Sequence, residues 1–455
     1  MSVANPANII PRRNITGEEN EYVKMFDPPT QSPNTPELIT PTNPVPAFMA
    51  SVVAGFSPPA PNTIHRRLFS TINVPKWDVP AVNPTMLFFA FAEQTNPLAS
   101  GGVWPGPTIR VPRGVIFHGE TQGAPPPHTI HWHGIEPTPI NDGVGHCSME
   151  VGSYVYQWQP NFIGTYFIHC HRNTVQHFDF GLYSMNIIEP PDAFDPANPN
   201  RGGYPRRTAA SLAKFPQFPG FNSSPLESMD PHAYTIPYDV EALWVVDDVD
   251  SNWHARTDGN RHATFPQSGT IPGVNDNFHG DAGAALAAGA FFAFNDFNPD
   301  YFFCTGVPFP GPRGGSATLN PAGPAPTGGG LPGGLIPPAL NSGVTGMQIA
   351  VNAAVNQTIL VRLLDAAYCP VRVTFPVDVV IIAFDGRALG VPPWNQYTHP
   401  FLLKANTPYE LSTARRFDAL IRSAVPVNAS ATIEFRDHLN EAKTLFTGRI
   451  PIVIA

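Results

Sequence analysis

Residues 164–182, GTYFIHCHRNTVQHFDFGL, set a cysteine between two histidines and place a third histidine six residues after the second. The opening GTYFI reads as a strand, and side chains on a strand alternate between its two faces. His169 and His171 therefore share one face while Cys170 points to the other. One short segment serves two separate places.

The same parity recurs upstream in PPPHTIHWHGIEP, residues 125–137. His131 and His133 are two apart and share a face, whereas His128 is an odd number of residues from both and faces away. If the two strands are neighbours, two ligand sets follow. His128, Cys170 and His177 lie inside a β-sandwich, and His131, His133, His169 and His171 lie on its outer side. Two imidazoles and a thiolate are the ligand field of a blue, type 1 electron-transfer copper. An all-imidazole set suits copper that binds and reduces a small oxygen-containing molecule, and Cys170 joins the two sites covalently through either adjacent histidine. An HxH pair by itself also fits a structural zinc site or a polar sandwich edge.

Of 15 histidines, eight (118, 128, 131, 133, 146, 169, 171 and 177) fall in this one region. His118 and His146 are read as surface or supporting residues rather than ligands, and Cys147 as a buried thiol. Cys304 and Cys369 either pair or stay as buried thiols. In WVVDDVDSNWH, residues 244–254, the aspartates are read as a polar strand end rather than a cation site.

Composition fits this reading. The chain has 455 residues, enough for more than one core, with 13% charged residues, 55 prolines and 38 glycines. That punctuation suits many short strands joined by turns, so the fold class is all-β. A formal charge of -9 gives no basic footprint for nucleic acid, and no apolar run approaches a bilayer span. Residues 1–60, rich in Pro, Asn and Thr, read as an extended arm. Strand-like runs such as TMLFFAFA, SYVYQW and TYFIHC define a copper-binding sandwich over 61–190. A Pro-rich linker, 191–230, leads to a second sandwich over 231–455, containing ALWVVDD, TILVRLL, DVVIIAF and IPIVIA. A Gly/Pro-rich insertion near 305–340 reads as a long surface loop.

These motifs carry a family resemblance. HTIHWHG resembles the HxxHxHG motif of multicopper oxidases, GTYFIHCHRNTVQHFDFGL resembles their HCH motif, and WPGPTIRV (104–111) resembles a strand near the start of laccase-type proteins. QTILVRLLDAAY, IAFDGR and STARRFDALI are similar to a laccase-like cupredoxin domain without copper ligands. The resemblance covers most of residues 65–455. It implies two cupredoxin-like Greek-key sandwiches, with His128, Cys170 and His177 as type 1 ligands. It also implies His131 as a type 2 ligand and His133, His169 and His171 as type 3 ligands.

Two departures matter. His177 lies seven residues after Cys170, farther than the usual laccase spacing and more like two-domain bacterial relatives. Leu182 occupies the position of the weak axial Met, which implies a three-coordinate, relatively oxidising copper, with Met185 as an alternative axial donor.

A trinuclear cluster in the family uses two four-histidine halves, and this chain shows one. A homo-oligomer, a trimer or a twofold dimer, would supply the rest. FRDHLNEAKTLFTG, near the C-terminus, resembles the second-domain segment of copper nitrite reductases. By that resemblance His438 of a neighbouring chain would join His133 and His169, although His131 stands where those enzymes have an aspartate. A non-enzymatic type 1 copper carrier is a further alternative. The expected partners are oxygen or another small oxidant and a small-molecule or metal-ion electron donor. Only eight methionines occur, without a Met-rich run, which speaks against a dedicated cuprous-ion oxidase. The resemblance implies a periplasmic or extracellular location. MSVANPANIIPRRN shows no signal peptide, so a cytoplasmic location is the alternative.

Overall fold

The computed structural model of the chain describes residues 63–75, 85–93, 104–112, 117–122, 129–135, 141–144, 153–158, 162–171, 174–189, 238–255, 297–319, 349, 351–389 and 400–455. The extended arm, the Pro-rich linker and the second half of the Gly/Pro insertion lie outside them. Among the described residues no helix is long and apolar enough to cross a membrane.

The first sandwich pairs two four-stranded sheets. One has the order β2 (Thr85–Glu93), β1 (Thr63–Pro75), β4 (Phe117–Gln122), β6 (Ser153–Trp158). The other has the order β3 (Gly106–Pro112), β8 (Tyr183–Glu189), β7 (Gly164–His169), β5 (His131–His133). A short helix, α1 (Thr174–Asp179), sits between β7 and β8.

The second sandwich is larger. Its eight-stranded sheet contains β9 (Val240–Val249), β10 (Tyr301–Cys304), β11 (Val307–Pro308), β14 (Ile359–Asp365), β16 (Val379–Phe384), β17 (Arg387–Ala388), β18 (Phe401–Leu403) and β20 (Arg416–Ile421). Its six-stranded sheet contains β12 (Ser316–Thr318), β13 (Val351–Ala353), β15 (Val371–Thr374), β19 (Pro408–Leu411), β21 (Val427–Asp437) and β22 (Asn440–Ile454). Helix α2 (Ser251–Ala255) follows β9. The class read from the sequence, all-β with two sandwiches, is the class observed.

Side-chain alternation sorts these strands into three cores. On β7, Tyr166 and Ile168 turn into the first sandwich with Phe89, Trp132 and Leu182, and Cys170 continues that face. Phe167 turns the other way and packs with Phe88, Phe178, Tyr183, Leu243, Val245 and Phe303. The third core, inside the second sandwich, takes Trp244, Val361, Phe417 and Phe435. Residues of both sandwiches thus share one apolar cluster, and each fully buried large side chain contributes roughly 1.5–3 kcal/mol.

Charged residues lock the same interface. Arg362 on β14 bonds Glu241 at 2.7 Å and Asp418 at 2.8 Å, all three buried. The Thr165 hydroxyl donates to Asp418, and Arg416 Nε donates to the Thr165 carbonyl at 3.3 Å. The β16–β17 turn presses Gly386, at φ +82°, against β7, where a Cβ would lie 2.3 Å from the Tyr166 ring. Only glycine fits there. The strand that delivers the HCH motif is therefore held from outside by the second sandwich.

Part of the expected Gly/Pro loop is ordered structure. Val307–Pro308 pairs with β10, Ser316–Thr318 runs parallel to β22, and Phe309 and Leu319 are buried. Apolar anchors within the described part of the Gly/Pro run bind it to the sheet. Cys304 and Cys369 are free and buried, with burial pushing the Cys304 thiol up to about 12.

Candidate metal centre

The inner pocket forms where β7 ends. Cys170 N donates to the Leu182 carbonyl at 3.0 Å, which ties the cysteine to the start of β8. Helix α1 then brings the chain back, and Leu182 N closes onto the His177 carbonyl at 2.9 Å. His177 Nδ1 lies 3.2 Å from Cys170 Sγ, and both residues are fully buried. The Phe89 ring stands edge-on to His177 at 5.7 Å. A thiol and an imidazole converging in so apolar a pocket fit a soft metal ion, whose charge would offset the cost of burying a thiolate. Leu182 shares this core and offers no donor atom. Met185 belongs to the other cluster, beside Phe167 and Phe178, so its thioether is turned away from Cys170. His128 lies outside the described residues.

The outer cluster lies on the opposite face. His131 pairs across the strands with His169, and His133 with Phe167. Ring centroids are 5.1 Å apart for His131 and His169, 5.1 Å for His131 and His171, 5.3 Å for His131 and His133, and 5.6 Å for His169 and His171. One nitrogen from each of His131, His133 and His169 lies within 4.8 Å of the other two. Among the described residues this is the one group of three or more metal-ligating side chains so arranged.

Neighbouring backbone fixes how two of these rings point. His131 Nδ1 faces the Asp142 carbonyl at 2.8 Å, and His169 Nδ1 faces the Cys170 carbonyl at 3.0 Å. A ligating histidine commonly donates its second ring N–H to a carbonyl, which leaves Nε2 for the metal. The Asp142 carbonyl reaches His131 because Gly143, at φ +73°, brings its turn where a Cβ would overlap the Ile130 carbonyl. His133 Nδ1 sits 3.3 Å from His169 Nε2, so two ring nitrogens already converge.

Electrostatics favour the neutral form of His133, His169 and His171. Burial first, then the Arg416 guanidinium and the neighbouring imidazoles, lower His133 to about 3. Burial and His131 hold His169 well below the usual histidine range and lower His171 as well. Neutral imidazole is the form that binds metal, so these three rings need no deprotonation at neutral pH. The donor sets of both pockets fit copper.

The remaining candidates lie elsewhere. His118 is on β4, in the other sheet of the first sandwich. His146 and Cys147 lie outside the described residues. His438 is exposed at the β21–β22 turn, with Nδ1 4.0 Å from Cys369 Sγ of its own chain. Asp247, Asp248 and Asp250 are buried rather than a polar strand end. They serve the backbone: Asp248 accepts from Tyr368 N and Cys369 N at 2.8 and 3.2 Å, and Asp250 from Asn298 N at 2.9 Å.

Sequence reasoning missed Arg416, Asp418 and Arg362. The signal was present: in STARRFDALI the charges at 416 and 418 alternate with the apolar Phe417 and Ala419. Charges at that period on an apolar strand mark a second face buried against something else.

A family model described as multicopper oxidase matches residues 87–193, the segment that carries every ligand candidate except His438. Residues 87–193 form a multicopper oxidase domain. Comparison with curated proteins gives no match. Solved structures similar to most of the chain include a blue copper oxidase from Nitrosomonas europaea, at 17% identity and TM-score 0.46, covering 86% of this chain and 85% of that one. The multicopper oxidase mgLAC gives 15% identity and TM-score 0.46, covering 86% of both chains. McoA multicopper oxidase from the hyperthermophile Aquifex aeolicus gives 13% and 0.45, covering 87% and 63%.

Proposed function

We propose that the multicopper oxidase domain divides its work between the two faces of one strand end. Cys170 and His177, with His128, would hold a type 1 copper, the entry point for electrons from a small-molecule or metal-ion donor. His131, His133, His169 and His171 would hold the copper that serves oxygen reduction. Copper supplies one-electron chemistry at the first site and binds the oxidant at the second. The residues supply everything else. Cys170 is covalently joined to His169 and His171, and its carbonyl also accepts from His169 Nδ1 at 3.0 Å, so two short routes link the sites. Phe89, Phe180 and Leu182 keep water from the thiolate, while the half-buried His131, His133 and His171 leave the outer site open to a small oxidant.

The observation that carries this reading is the 3.2 Å approach of Cys170 Sγ to buried His177, with the flanking imidazoles gathered on the other face. Because the described residues offer four imidazoles at the outer site, a full oxygen-reducing cluster draws its remaining ligands from a second copy in a homo-oligomer. Oxygen consumption by the copper-loaded protein with a phenol or a reduced metal ion as donor tests the reading. His169→Ala is expected to stop that consumption while leaving the blue absorption. Turnover with oxygen that survives His169→Ala contradicts it.

A second reading follows from one feature. His438 is exposed at a hairpin turn, where it is accessible to a neighbouring chain. With His133 and His169 it would form a nitrite reductase-like site. Nitrite turnover abolished by His438→Ala, without oxygen consumption, would select it.

A further inference from the structure

The segment 174–182 carries His177 and is gripped from two sides. On the inner side, Phe89 packs on Phe180 at 5.1 Å and edge-on to His177 at 5.7 Å, and Phe89 N donates to the Phe180 carbonyl at 2.7 Å. On the outer side the contact comes from the second sandwich. His254 of α2 lays its ring flat on Phe180, 4.1 Å between centroids and 11° between planes, and packs beside Phe88 at 4.6 Å. Its Nε2 lies 3.1 Å from Asp179 Oδ2, with both side chains removed from solvent. A buried polar pair of this kind is costly to separate, because each member would be left without water.

His254 is itself firmly placed. Its backbone N donates to the Asp250 carbonyl at 3.3 Å, and Ser251 at the start of α2 gives Asp300 two hydrogen bonds, at 2.8 and 2.6 Å. Asp250 in turn holds Asn298 N at 2.9 Å. A rigid element of the second sandwich therefore sets where Asp179 and Phe180 lie. Those residues sit between His177 and Leu182, whose carbonyl holds Cys170 N at 3.0 Å.

We propose that His254 is a positioning residue for the Cys170–His177 pocket, fixing the 174–182 segment from across the sandwich interface. The second sandwich thereby tunes a pocket to which its described residues contribute no ligand. The metal-dependent half of the test rests on reading that pocket as a copper site, whereas the exchange half does not.

Amide hydrogen exchange on the metal-free full chain compares the wild type with His254→Ala and His254→Phe. His254→Ala is expected to speed exchange across 174–182 by about tenfold, with β14 and β20 unchanged. His254→Phe keeps the flat ring contact and loses only the Asp179 contact, so it is expected to show a smaller rise. It decides the matter alone if His254→Ala does not fold. Unchanged exchange in 174–182, or an equal rise in every strand, overturns the proposal. With copper(II) bound, the same variants are expected to shift the thiolate-to-copper absorption and the reduction potential without losing the band. An unmoved band and potential overturn the positioning role. Absence of the band in the wild type defeats the copper reading instead, and leaves the exchange result to decide on His254.

Discussion

The two sandwiches meet face to face, and the same side-chain alternation puts different chemistry on each side. In the first, β5 and β7 carry His131, His133 and His169 on the face that also presents Phe167 to the interface. In the second, β9, β14 and β20 present Glu241, Arg362, Arg416 and Asp418 from equivalent interface-facing positions. One side gathers imidazoles, while the other supplies a charge lock. The imidazole cluster thus depends on the neighbouring sandwich, because the strand leading to His169 and Cys170 is clamped at Thr165 by Asp418 and Arg416.

Breaking the lock should have the largest effect. Arg362→Ala takes the shared guanidinium away from the buried carboxylates of Glu241 and Asp418, at a cost of roughly 3–5 kcal/mol, measurable by denaturant unfolding. A loss below about 1 kcal/mol, the range of exposed ion pairs, would mean that solvent reaches the network.

Titration sharpens the comparison next, because the two sides respond to pH in opposite senses. Burial raises Asp248 to about 7, so its folded form holds a proton more tightly than the unfolded chain does. Stability from this group is fully present below about pH 4 and is lost as pH rises to about 7, at about 1.4 kcal/mol for each tenfold difference in proton affinity between folded and unfolded chain. His133, lowered to about 3, acts the other way. Its contribution is present above about pH 6.5 and is lost as pH falls towards 3. Asp248→Asn should flatten the loss between pH 4 and 7 in unfolding curves taken across that window. An unaltered slope would show that Asp248 is ionised in the folded protein.

The smallest effect tests the faces of β8. Met185→Leu should cost less than about 1.5 kcal/mol and leave the copper absorption unmoved, because Met185 packs with Phe167 rather than with Cys170. A shifted band would make Met185 an axial ligand after all.

Much of this is legible in the sequence, for a physical reason. Strand parity is local, so HCH and HWH disclose which side chains share a face without any tertiary information. That rule separates Cys170 from His169 and His171, and it also distinguishes Leu182 from Met185. Tertiary partnership is not local. Nothing in TVQHFDF announces that Asp179 and Phe180 will meet His254, since that contact depends on how the sandwiches dock. The Gly/Pro-rich stretch misleads in the same way: Phe309 and Leu319 find sheet partners in β10 and β22, far from the composition that makes 305–319 look like loop.

Copper stoichiometry combined with electron paramagnetic resonance on the assembled protein probes the division between faces most directly, with Cys170→Ser beside the wild type. The expected result is two kinds of copper signal in the wild type, of which Cys170→Ser removes the thiolate-bound one together with the blue band and keeps the imidazole-bound one. A single kind of copper, or a blue band that survives Cys170→Ser, would contradict the assignment of the two faces to two sites.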